Sequence, residues 1–160
     1  MRADIGLEDD AVAETAKMLN QVLSDEFLLY TKTLCCHWNI QGADFRSLHL
    51  LLEDQYTSLS EMIDTIAERV RAIGERSLGS LAGFHEHTRI KEFAEHRPLP
   101  DAQQMLSNLK DDHEAIVKEL RLQHVNIADR QHDVGTTSLI EDLILKHEKM
   151  AWFLRAQLND

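Results

Sequence analysis

At 160 residues with 43% hydrophobic content, the chain is long enough for one domain with a real core and too short to expect two; six Gly and two Pro leave little punctuation for many short strands. A formal net charge of -11 argues against general affinity for nucleic acid or anionic membrane, because phosphate binding rests on Lys and Arg, and it favours cations as partners. No apolar run approaches the roughly 18 residues that span a bilayer, and "MRADIGLEDD" lacks the basic and then apolar regions of a secretory signal, so a cytoplasmic location is expected.

From about Glu8 to Trp38, Val12, Ala16, Leu19, Leu23, Phe27, Tyr30 and Leu34 recur at three- and four-residue steps, the stripe of a long helix. Near its end, Cys35 and Cys36 are adjacent, too close for an ordinary structural disulfide and too few for a metal knuckle; buried thiols are expected. After the loop "NIQGADF", a second helix is predicted from about Arg46 to Ile73 on Leu48, Leu52, Leu59, Ile63, Ile66, Val70 and Ile73, with Gly74 in a C-terminal cap position. The connection "GERSLGSLAGFHEHTRIKEFAEHRPLP" holds three glycines and both prolines, leaving room for at most a short helix around Leu81 to His87. Asp101 can cap a third long helix with Met105, Leu109, Ile116, Leu120 and Ile127 on its apolar face. The string "DRQHDVGTT" then breaks the chain, and a fourth helix is predicted from about Thr137 on Leu139, Leu143, Met150, Phe153 and Leu158. Two helical hairpins joined by a long crossover describe an all-α, ferritin-like four-helix bundle, with residues 1–160 as a single domain.

On the second helix, with Leu48 at zero and 100° per residue, the core stripe falls between roughly -20° and 60°. His49, Glu53, Asp64 and Glu68 fall at roughly 100°, 140°, 160° and 200°, a different face that also carries Thr57, Ser60 and Ala67. His49 with Glu53, and Asp64 with Glu68, are each four apart, so each couple can reach a common ion. The couples themselves lie about 22 Å apart along a straight helix. An antiparallel second copy across a twofold axis would bring one chain's His49 and Glu53 opposite its mate's Asp64 and Glu68, and an isologous contact generates two identical sites. Spacing alone also fits a solvated face with an idle histidine, which is the commoner meaning of such a pattern.

The string "HWNIQGADFRSLHLLLE" continuing into "IDTIAERV" resembles the signature of the Dps mini-ferritins, the DNA-binding proteins of starved cells: His37, Trp38, Asn39, Gly42, Phe45, His49, Glu53, Asp64 and Glu68 occupy its positions. The similarity extends through "LYTKT", "HTRIKE" and "WFL". The resemblance implies a hollow dodecamer built from twofold dimers, with Fe(II) oxidised at inter-subunit sites that hold two iron ions each. It assigns His37, His49 and Glu53 from one subunit and Asp64 and Glu68 from the mate; some family members carry Asp where this chain has Glu53, a change of reach only. It further implies hydrogen peroxide as the preferred oxidant, storage of ferric mineral, and protection against oxidative stress.

Imidazole with carboxylate is a sensible ligand set for Fe(II), and five protein ligands leave two irons with positions open for an oxidant. Trp38, beside His37, is expected on family analogy near the site, intercepting a stray oxidising equivalent or simply packed at the interface. An intrachain site of Glu-x-x-His type is disfavoured, since no Glu has a His three residues later. Pores in this family lie near the start of the fourth helix, which makes Asp129, Asp133, Glu141 and Asp142 candidates for drawing cations in, with a solvated helix terminus as the plainer account. His113 and His124 fall near the third helix's stripe and read as interior or interface side chains; His85, His87, His96, His132 and His147 receive no role. The alternative function is a nucleoid-compacting DNA binder. Neither terminus offers a basic arm, so weak or no DNA binding is expected near neutral pH.

Overall fold

The computed structural model describes residues 3–94, 98–130 and 132–158, with positions 124, 125 and 127–130 described by their backbone alone. It contains α1 (Asp9–Asn39), α2 (Phe45–Ala72), α3 (Leu81–His87), α4 (Ala102–Arg130) and α5 (Val134–Arg155), with no strand among the described residues. Helix α1 packs along α2 and α4 along α5 as two hairpins, joined by α1 against α4 and α2 against α5. This is the all-α four-helix bundle with a short crossover helix that the sequence predicts. Among the described residues no helix is long and apolar enough to cross a membrane.

The 31 residues of α1 contain no Gly or Pro, so nothing interrupts its hydrogen-bond ladder. Leu19, Leu23 and Leu29 from α1 meet Leu52, Leu59 and Ile66 from α2 and Leu106, Leu109 and Leu120 from α4, all fully buried. Helix α2 ends in a Schellman motif: Glu75 N–H donates to the Val70 carbonyl at 3.1 Å, Gly74 N–H to the Arg71 carbonyl at 3.0 Å, and Gly74 takes φ +100°. Here glycine is needed, because a side chain at that φ would be strained. Asp101 caps α4 as expected, its Oδ1 accepting from Gln104 N–H at 2.9 Å.

The crossover is tied to α1 by two polar residues. Asn20 accepts from Leu78 N–H at 2.8 Å and donates to the Arg76 carbonyl at 3.1 Å. Asp25, 1% exposed, accepts from Arg89 through the backbone N–H at 2.5 Å, Nε at 2.8 Å and Nη2 at 2.5 Å. A buried carboxylate met by a guanidinium fork and a backbone donor fixes the position of the segment that follows α3.

Two expectations are corrected. Helix α5 begins at Val134, three residues before the expected Thr137, because the Asp133 side chain caps it: Oδ1 accepts from Thr136 N–H at 2.9 Å and Oδ2 from Thr136 Oγ1 at 2.6 Å. The Gly and β-branched residues that read as a breaker are its first turn. Phe153, expected in the core, is 38% exposed and packs edge-on against exposed Trp152, while Leu154 takes the buried position. Ile127, placed on the third stripe, and His96 and His124 fall outside the residues whose side chains are described.

Candidate metal centre

The turn from α1 to α2 sets the site. Ile40 N–H closes α1 on the Cys36 carbonyl at 2.8 Å, Gly42 reverses the chain at φ +123°, and α2 starts at Phe45, laying His49 against His37. Their rings stack with centroids 3.7 Å apart and planes 16° from parallel. Each is held by the other's backbone: His37 Nδ1 donates to the His49 carbonyl and His49 Nδ1 to the His37 carbonyl, both at 2.9 Å. A carbonyl only accepts, so both Nδ1 atoms carry hydrogen, which leaves Nε2 as the one nitrogen of each ring that can offer a lone pair. That is the tautomer a metal-binding histidine needs, enforced here by the chain itself.

His37 is buried and His49 half-buried. Tyr56 meets the His37 ring edge-on at 5.1 Å between centroids, and Phe45 stacks on His49 at 5.1 Å. One turn beyond His49, Glu53 is exposed; towards the other end of α2, Asp64 and Glu68 are exposed with Thr57 and Ser60, while Ala67 is half-buried. Fifteen residues of straight helix keep His49 and Asp64 about 22 Å apart within one chain. Among the described residues no three His, Cys, Asp or Glu side chains converge within one chain on a point that could hold a metal ion. The structure thus brings His37 to His49 and leaves the acidic couple remote from both.

Trp38 is 68% exposed and lines an open cleft between α1 and the crossover, beside Cys35, Asn39, Phe93 and Leu99. Of the pore candidates, Glu141 is exposed, Asp142 pairs with Lys146 at 2.8 Å, and Asp129 lies outside the residues whose side chains are described. Asp133 is 3% exposed and committed to capping α5 and to Arg69 Nη2 at 2.6 Å, so its carboxylate is a structural group of this chain. Gly135 leaves room for that guanidinium, since a Cβ there would stand 2.9 Å from Arg69 Nη2.

The two cysteine thiols differ in their surroundings. Cys36 is fully buried, and burial first, with the Cys35 thiol second, pushes its pKa up to about 12. Cys35, expected to be buried like its neighbour, is only half-buried, at the edge of the cleft that Trp38 lines. Lys32, the basic residue closest in sequence, is occupied by Asp112 at 2.6 Å and lies 4.9 Å over the Phe93 ring. Burial raises the Asp112 carboxyl while the Lys32 hydrogen bond opposes that rise.

One feature escaped sequence reasoning. Glu26, His113 and His147, all fully buried, form a chain across α1, α4 and α5: His113 Nδ1 lies 2.8 Å from His147 Nδ1, and His147 Nε2 lies 2.7 Å from Glu26 Oε1. His147 sits four residues after Leu143 and three before Met150, on the apolar stripe of α5, so the spacing did carry a signal of burial.

The ferritin-like domain family matches residues 16–160. A low temperature-induced protein of Nostoc sp. is 41% identical over 155 residues, covering 97% of this chain and 86% of that protein. The DNA protection during starvation protein of Brevibacillus brevis is 34% identical over 144 residues, 90% of this chain and 94% of that protein. Among solved structures, DpsC from Streptomyces coelicolor superposes with a TM-score of 0.95 at 30% identity, covering 100% of this chain and 92% of that one. The Dps protein from Vibrio cholerae O1, described as a member of a broad superfamily of ferritin-like diiron-carboxylate proteins, gives 0.90 at 32% identity, covering 99% and 97%.

Proposed function

The chain belongs to the Dps mini-ferritins of the ferritin-like domain family, whose members store iron and protect against oxidative stress, and we propose that it is a ferroxidase whose sites form only between two subunits. His37, His49 and Glu53 of one subunit and Asp64 and Glu68 of the mate hold two ferrous ions, the substrate, at each site. The observation that carries this reading is the reciprocal clasp of His37 and His49, which fixes both imidazoles as Nδ1–H tautomers beside an exposed helix face bearing three carboxylates. Imidazole nitrogen with carboxylate oxygen suits Fe(II). The exposed Thr57 and Ser60 between the couples are short enough to let a second α2 approach antiparallel, and a twofold axis then repeats the site.

Hydrogen peroxide is the oxidant of this reading, with oxygen slower. Two ferrous ions each give one electron, one peroxide takes both and two protons to become two waters, and no radical is released. Ferric product collects as mineral inside a dodecamer, and Glu141 and Asp142, exposed on α5, are the remaining described candidates to line an entry pore. A net charge of -11 per subunit repels a polyanion, which disfavours the alternative of a nucleoid-compacting DNA binder.

Stopped-flow oxidation of Fe(II) by hydrogen peroxide tests the site. His49→Ala and Asp64→Ala should each slow it at least about tenfold, the scale on which lost metal-site interactions act. Rates equal to the unaltered protein in both variants would sink the proposal.

A further inference from the structure

Beyond the metal site, we propose that the groove between α2 and α5 binds a small zwitterion with an apolar body, of the class of the apolar and aromatic α-amino acids. The groove lies on a face that the metal site does not use. Around α2, Leu51, Asp54 and Gln55 fall at roughly 300°, 240° and 340°, across the core stripe from the metal face at roughly 100° to 200°. Lys149, Met150 and Phe153 of α5 form the opposite wall. The space between the walls is about 340 Å³, at the small end of the roughly 300–1,000 Å³ of ligand pockets, which suits a molecule of amino-acid size.

Leu51, Met150 and Phe153 supply the apolar surface, and three polar groups beside it lack counterparts. Gln55 is 3% exposed; its Nε2 donates to the Met150 carbonyl at 3.2 Å, while its Oε1, shut off from water, has no hydrogen-bond partner. A buried acceptor without a donor is costly, and the soft terminal torsion of glutamine lets a small turn bring this oxygen to a ligand's N–H. Asp54 and Lys149 are exposed and make no ion pair among the described residues. Lys149 Nζ stands 5.7 Å over the Phe153 ring, a cation–π contact that keeps the ammonium at the groove. Lys146, the other lysine here, is already paired with Asp142.

Elimination then fixes the ligand class. An anion would pair with Lys149, yet it would meet the Asp54 carboxylate and leave Gln55 Oε1 without a donor. A cation would satisfy Asp54 and Gln55 and meet Lys149. An uncharged apolar molecule would cover all three groups and satisfy none. A molecule with an ammonium and a carboxylate on an apolar body answers each: the ammonium donates to Asp54 and Gln55 Oε1, the carboxylate accepts from Lys149, and the body lies on Leu51, Met150 and Phe153.

Isothermal titration calorimetry of the assembled protein tests this with three molecules that share one ring: phenylalanine, 3-phenylpropanoate, which lacks the ammonium, and 2-phenylethylamine, which lacks the carboxylate. Phenylalanine should bind saturably, one molecule per subunit, and several-fold tighter than either analogue. Lys149→Gln should reduce it to the affinity of 2-phenylethylamine, and Asp54→Asn to that of 3-phenylpropanoate. Gln55→Met, which keeps the volume and removes the acceptor, should weaken phenylalanine and leave 3-phenylpropanoate as it was. Circular dichroism and size-exclusion elution establish that each variant folds and assembles. Absence of saturable phenylalanine binding, equal affinity for the three molecules, or unchanged affinity in both Lys149→Gln and Asp54→Asn overturns the inference. Fe(II) oxidation is measured separately, so the ferroxidase reading stands or falls on its own.

Discussion

His113 and His147 face each other through Nδ1 atoms 2.8 Å apart, in a core where neither is exposed. One nitrogen must donate and the other accept, while the far side of His147 lies 2.7 Å from a Glu26 oxygen. Burial first, and the neighbouring His147 second, hold the His113 pKa well below the ordinary imidazole value. Unfolded histidine takes its proton near pH 6.5. The folded state keeps His113 neutral, so this contribution to stability is complete above about pH 6.5 and is lost as pH falls below it towards the depressed folded value. Thermal unfolding at pH 7.5 and pH 5 should show the unaltered protein losing stability by at most ~1.4 kcal/mol per pH unit from this group. His113→Gln should flatten that dependence; identical pH profiles would contradict it.

Subunit mixing separates a shared site from a private one. In a dimer of one His49→Ala chain and one Asp64→Ala chain, one site loses both partners and the other is intact. If the two variants are unfolded, mixed in equal amounts and refolded, half the dimers are mixed and about a quarter of all sites recover. Fe(II) oxidation should rise from near zero to about that fraction of the unaltered rate. A mixture as inactive as its components would show that the ligands belong to one chain.

The thiols should react unequally. With its pKa raised to about 12, Cys36 is almost wholly protonated at pH 8, whereas half-buried Cys35 stands in the cleft beside Trp38. Iodoacetamide on the native protein should modify Cys35 and spare Cys36 until denaturant is added, as peptide mass mapping would reveal. Modification of Cys36 first would refute this ordering.

Asp133→Ala removes the cap of α5 and strands Arg69. The cap is worth about 1 kcal/mol and the nearly buried ion pair adds to it, for a total loss of about 2–3 kcal/mol in urea unfolding. Asp133→Asn keeps a capping oxygen and should cost less. Equal losses in the two variants would mean that the cap contributes nothing.

Plasmid DNA should run freely past this protein in a gel at pH 7.5 and low salt, where the charge of -11 acts with least screening. Retention of the plasmid under those conditions would reveal a basic surface that net charge conceals.

Much of the fold was legible because local rules act within one helix. The stripe from Leu48 to Ile73, the Gly74 terminus, the short helix at Leu81–His87 and the Asp101 cap each depend on residues three or four apart, and all stand where their spacing puts them. Helix α5 starts before the expected Thr137 because Asp133 caps it through Thr136, in a position that Arg69, 64 residues away in sequence, also holds. Phe153 was misread because periodicity gives a direction around a helix and leaves open how far the neighbouring helix reaches.

For the proposed site, the sequence by itself determined the candidate ligand types and their distribution: His37 at the end of α1 and His49 near the start of α2, with an acidic couple about 22 Å along α2, too far apart for one chain to join. Only the tertiary structure decided which nitrogen of each imidazole holds the proton, because that follows from two carbonyls brought together by the turn at Gly42. It also placed Tyr56 against His37, and buried Glu26, His113 and His147 in one chain across three helices. Spacing along a chain fixes what each helix presents; hydrogen bonds and ring contacts between helices exist only once they pack, since their short range makes them depend on positions no single segment contains.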